Sequence, residues 1–256
     1  MMRPFLALTL NGFREARRNR VTVVVGAFAF GLLVASTLLT NLSVSTFDRV
    51  LTDVGIGVMS IVLVLLAVFL SSGMLSREIE RKTLFLIVSK PISRGLFLTA
   101  RFAGNMLTLG VLLVAMGLLF FGQIALYGTV FTQAQLVAIF MLFFELLVLS
   151  SIGFAMSSFS SQMVSATVTI GAYFAGHLGG DIYEMSRKAD SPLLQWVGKG
   201  VYYALPNLSR LNYRVQATYE LPTPFSELAP SMLYAVAYAA VMIGIAVILF
   251  SRRDFK

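Results

Sequence analysis

The chain has 256 residues, 57% of them hydrophobic and only 12% charged, with a mean hydropathy of +0.83 and a formal net charge of +8. Soluble domains carry about twice that share of charge, so a water-soluble domain is set aside. With no cysteine and a single histidine, so are disulfides, thiol nucleophiles and multi-histidine metal centres. The positive charge is unevenly distributed and reads as membrane topology, not nucleic-acid binding.

Residues 3–20, RPFLALTLNGFREARRNR, have the pattern of an interfacial helix. At ~100° per residue, Phe5, Leu6, Leu10 and Phe13 fall on one side, and Asn11, Arg14, Glu15 and Arg18 on the other. Two roles stay open for it: an elbow helix on the cytoplasmic leaflet, or a basic anchor that only sets orientation. Its apolar stretch is too short for a secretory signal, and arginines follow it.

Six spans are expected, at about 21–40, 56–75, 102–127, 135–157, 163–180 and 230–250. Each is near the ~20 helical residues that cross a ~30 Å hydrocarbon core. The fifth is short, and Gly-His-Leu-Gly-Gly at 176–180 is expected to break it. Even parity puts both termini and the loop 76–101 on one side. That side carries fourteen of the twenty Lys and Arg; the other carries Arg49, Arg187, Lys188, Lys199, Arg210 and Arg214. The positive-inside rule then places the termini and this loop in the cytoplasm.

The loop opens with a charged box, SREIERKTLFLIVSKPISRG (76–95), with five charges in its first seven positions. Residues 76–90 read as a short helix. Glu78 and Lys82 form a favourable i, i+4 pair, and Pro91 pushes Lys90 out of helical backbone. A loop that only fixed topology would need the bases but not Glu78 and Glu80. Acids mixed with bases suit a charged docking surface.

Glu145 lies mid-span in MLFFELLVL. An ionised carboxylate at that depth is costly, so it is expected to be protonated, paired or facing a polar cavity. Its helical neighbours are apolar, so any partner must come from another span. A substrate- or proton-linked site and a packing hydrogen bond both stay open. His177 is placed near the outer end of the fifth span, bonded to backbone and too shallow to meet Glu145. The twelve methionines are scattered and read as packing or lipid-facing residues. The outer connection 181–229 is expected to hold short helices resting on the membrane surface, broken at Pro206 and at Pro222–Pro224. Trp196, Tyr202, Tyr203, Tyr213 and Tyr219 suit the interface belt or a docking face for an outer partner.

The stretch RVLTDVGIGVMS…SREIERKTLFLIVSKPISRGLFLTARFAG (49–104) resembles permease subunits of the type-2 ABC transporter family. VYYALPNLSRLN (201–212) and the terminal FSRRDF (250–255) fit the same pattern, so the resemblance covers nearly the whole chain. It is nearest the branch that includes the copper-maturation system of nitrous oxide reductase and gliding-motility permeases, although copper itself is not carried over. Many members have Gly before the Thr, where this chain has Lys82.

The resemblance implies an all-α, single-domain permease (1–256) in a prokaryotic inner membrane, with six transmembrane helices, an N-terminal elbow helix, a coupling helix at 76–90 and an extracytoplasmic segment at 181–229. It implies a dimer of permeases, homodimeric or with a paralogue, working with two ATPase subunits that bind ATP and Mg. Glu78, Glu80, Arg81, Lys82 and Thr83 would couple to the ATPase. Ser157, Ser160 and Gln162, in the short inner turn SSFSSQ, would form the second cytoplasmic contact. No phosphate-binding loop is present in the sequence, so the ATPase is expected to be a separate polypeptide and this chain to be no enzyme. The expected function is ATP-driven export or movement of a substrate. The alternative is transmission of ATP-driven motion to an extracytoplasmic partner without transport.

Overall fold

The computed structural model describes residues 5–10, 21–39, 47–80, 93–189 and 191–251; these are helix, turn or coil, with no strand among them. The helices are α1 (Val21–Leu39), α2 (Phe47–Glu80), α3 (Arg94–Leu126), α4 (Gln133–Ser157), α5 (Gln162–Arg187), α6 (Pro192–Ala204), α7 (Arg214–Thr218) and α8 (Phe225–Ser251), with a 3₁₀ turn at Ser209–Leu211. Residues 5–10 are also helical, and the Thr9 hydroxyl donates to the Ala100 carbonyl of α3 at 3.3 Å.

Among the described residues, four helices are long and apolar enough to cross a membrane, within α2, α3, α4 and α8. They carry the expected second, third, fourth and sixth spans. The expected first span is a shorter apolar helix, residues 23–37 of α1. The expected fifth is α5, whose Ser165, Thr167, Thr169, His177 and Glu184 make it more polar than the others. Capping residues set several starts. The Ser93 hydroxyl accepts from the Leu96 amide at the head of α3, and Ser161 accepts from Val164 at the head of α5. At α4 the Gln135 side chain reaches back to accept from the Thr132 amide at 3.2 Å, and its amide nitrogen donates to Thr52 Oγ1 of α2.

α4 is the hub. Its residues are mostly buried, and it packs against α2, α3, α5, α7 and α8. At the end marked by Phe47, Tyr127 and Gln133, called the upper end here, the Phe47 and Tyr127 rings meet at a tilt, centroids 5.4 Å apart. At the lower end Phe102 meets Phe154 at 5.6 Å. There the Ser165 hydroxyl donates to the Gly153 carbonyl at 2.8 Å, with Ser71 and Thr169 buried beside it. Small side chains let α2, α4 and α5 meet closely at this point.

Two expectations are corrected. α5 does not break at 176–180 but runs on to Arg187. The reason is packing: a Cβ on Gly176 would lie 2.6 Å from the Pro206 carbonyl, and the Leu208 amide donates to the Gly176 carbonyl at 3.1 Å. The glycine there serves close approach, not termination. Secondly, the segment after Pro206 does not simply rest on a membrane surface. Leu208, Leu211, Tyr213 and Ala217 are buried in the main core and cap the upper end. Tyr213 is therefore a core residue, whereas Trp196 and Tyr219 are exposed. The expected breaks at Pro206 and at Pro222–Pro224 both fall in non-helical backbone.

Candidate functional site

Beneath that cap, between α2, α4 and α5, lies a cavity of about 210 Å³. Its polar wall consists of Ser60, Glu145, Tyr173, His177, Asn212 and Arg214, and its apolar wall includes Ile56, Ala138 and Leu142. Tyr173 and His177 are one helical turn apart on α5 and share a face; their rings lie 4.6 Å apart. Ser60 of α2 lines the same cavity.

Glu145 is 2% exposed, and its Oε1 lies 3.2 Å from His177 Nε2. That separation suits an ion pair, but the approach is off the hydrogen-bond direction. Glu145 Oε1 and His177 Nδ1 have no hydrogen-bond partner among the described residues. Glu145 does find its neighbour on another helix, as expected. That neighbour is His177, which the sequence alone places too shallow to reach it. Counting from the lower ends at ~1.5 Å per residue, Glu145 stands about 18 Å above Ser157 and His177 about 22 Å above Gln162, so the two are nearly level.

The mouth is held by a clasp that neither segment announces. Arg214 donates from Nε and Nη2 to the two carboxylate oxygens of Asp53, at 2.7 and 2.8 Å, and Thr218 adds a 3.4 Å contact to the same carboxylate. This fork-to-fork geometry is the strong form of the pair. Gly57 makes room for it: a Cβ there would lie 2.6 Å from Arg214 Cζ. A second, more open cavity of about 390 Å³ adjoins the first across Asn212 and Tyr213, with Arg210, Gln216 and Glu227 in its wall.

The chemistry available is that of one buried acid beside one imidazole, with hydroxyls and aromatic rings around them. It suits holding a cation, a proton or a hydrogen-bond donor. No group of three or more His, Asp and Glu capable of holding a metal occurs among the described residues.

The sequence-predicted contacts with an ATPase lie elsewhere. Glu78 and Glu80 belong to the last turn of α2, with side chains outside the described set; Arg81, Lys82 and Thr83 lie outside the described residues. In the turn between α4 and α5, Ser157 is buried and donates to the Phe154 carbonyl, Ser160 donates to the Met156 carbonyl, Gln162 is half-buried and Phe159 protrudes. A family model described as ABC-2 family transporter protein matches residues 6–255. No curated protein matches the chain.

Proposed function

The chain belongs to the ABC-2 transporter family, and from that premise we propose that it is the permease subunit through which a separate ATPase drives movement of a substrate across a prokaryotic inner membrane. The observation that carries this reading is a family match over nearly the whole chain, in a protein with four long apolar helices among its described residues. Six spans, with α1 and α5 as the first and fifth, put both termini and the charged box in the cytoplasm, as the excess of Lys and Arg on that side requires. The box at 76–90 docks on the ATPase through Glu78, Glu80, Arg81, Lys82 and Thr83. The turn bearing Ser157, Ser160 and Gln162 is the second contact. Two permease copies pair with two ATPase subunits, which bind ATP and Mg, and the cycle drives export or movement of the substrate.

Mild-detergent capture of the chain from its native membrane tests this. The wild-type chain is expected to bring down a polypeptide with a phosphate-binding loop and with ATP turnover. Glu80→Lys should insert normally yet release that polypeptide, because it reverses one charge of the docking face. Equal capture and equal turnover in the variant would overturn the coupling role of the box.

A further inference from the structure

We propose that the cavity between α2, α4 and α5 is a binding site for a protonated amine, with the Glu145 carboxylate as its counter-charge. The proposal rests on the transporter reading only in treating the amine as part of a cargo. Four observations converge on it. Glu145 is 2% exposed and lines the cavity, and its fully buried Oε1 lacks a hydrogen-bond donor among the described residues. A carboxylate so placed gains most from an incoming N–H donor that also carries charge.

His177 approaches at 3.2 Å but off the bonding direction, and so leaves that place unfilled. Arg214 at the mouth has both Nε and Nη2 turned to Asp53. Its charge is already balanced, so an anion finds no unpaired positive partner in it. Tyr173 and Tyr213 line the wall, and aromatic faces attract cations.

Size narrows the class. A cavity of about 210 Å³ equals roughly seven water volumes of ~30 Å³. It takes an aminoalkyl or amino-sugar moiety, not an acyl chain. The amine could belong to a soluble solute or to a lipid headgroup, and the experiment separates these sources.

The full chain is placed in nanodiscs of phosphatidylglycerol, and thermal unfolding is followed against ethanolamine, with ethylene glycol as the uncharged control. A second set of discs contains phosphatidylethanolamine. Stabilisation by ethanolamine but not ethylene glycol supports the site with a soluble amine as its ligand. Stabilisation by phosphatidylethanolamine alone supports it with a headgroup. In either case Glu145→Gln should weaken the apparent affinity by about tenfold or more, the loss expected for a charge-assisted bond.

Ala138→Leu, which fills the apolar wall, should abolish the response. It carries the test if Glu145→Gln does not fold. No amine response in the wild type, or a response unchanged in the variants, overturns the proposal. Binding is read without any ATPase, so its failure leaves the docking test untouched, and failed docking leaves the cavity test untouched.

Discussion

At the scale of single residues, the polar groups of the upper end divide into those the sequence announces and those it hides. Glu145 is announced: an acid amid MLFFELLVL must have a reason, and the absence of polar neighbours on its own helix says the reason lies on another. Asp53 and Arg214 are hidden. They sit 161 positions apart, and nothing local to either requires the other. The same holds for Ser36 and Gln123, which meet at 2.6 Å between α1 and α3. The clasp is partly exposed, with side chains near 40% accessible, so its net worth is that of a partly solvated pair. A double-mutant cycle of Asp53→Ala and Arg214→Ala should return a coupling of about 0.5–1 kcal/mol in thermal or denaturant unfolding. A coupling of zero would mean that the two side chains meet without holding the cap.

At the scale of elements, apolar runs mark the long helices well, because the hydrocarbon core demands both length and composition. They fail where a helix is built for contact instead. Glycines within α5 each cost about 1 kcal/mol against alanine, and on local grounds the run at 176–180 should end the helix. Packing against residues 206–208 outweighs that cost, and the helix runs on to Arg187, so His177 is a mid-helix residue level with Glu145 and not a helix end. Misreading the glycines thus misplaces the histidine, and with it the site.

Gly176→Ile should force α5 away from Pro206 and Leu208, destabilising the protein by about 1–3 kcal/mol. Gly171→Ile, on the same helix at a position where a Cβ would meet nothing within 4 Å, is the matched control and should change little. Unfolding temperatures of the two variants, compared side by side, decide the point. α2 departs from expectation in a different way. It is one helix from Phe47 to Glu80, so the first turn of the charged box continues the helix that lines the cavity.

At the scale of the whole molecule, the cavity lies toward the upper end, while the lower end is closed where Ser71, Gly153, Ser165 and Thr169 meet. Under the proposed topology the upper end is extracytoplasmic. The chain has no cysteine, so single cysteines report side cleanly. Val130→Cys should react with a membrane-impermeant maleimide on intact cells, and Phe159→Cys only after permeabilisation; both positions are well exposed. The reverse pattern would invert the orientation and move the charged box out of reach of a cytoplasmic ATPase.

The clasp also has a history within each molecule's making. Asp53 emerges from the ribosome 161 residues ahead of Arg214, which at about 5–20 residues per second is a delay of roughly 8–32 s. α5 is complete at Arg187, 27 residues ahead of Arg214, so α2, α4 and α5 have roughly 1–5 s to assemble around Glu145 with no cap above them. Closure of the upper end thus belongs to the last stretch of synthesis, and a chain interrupted before residue 205 would lack the residues that cover its deep acid.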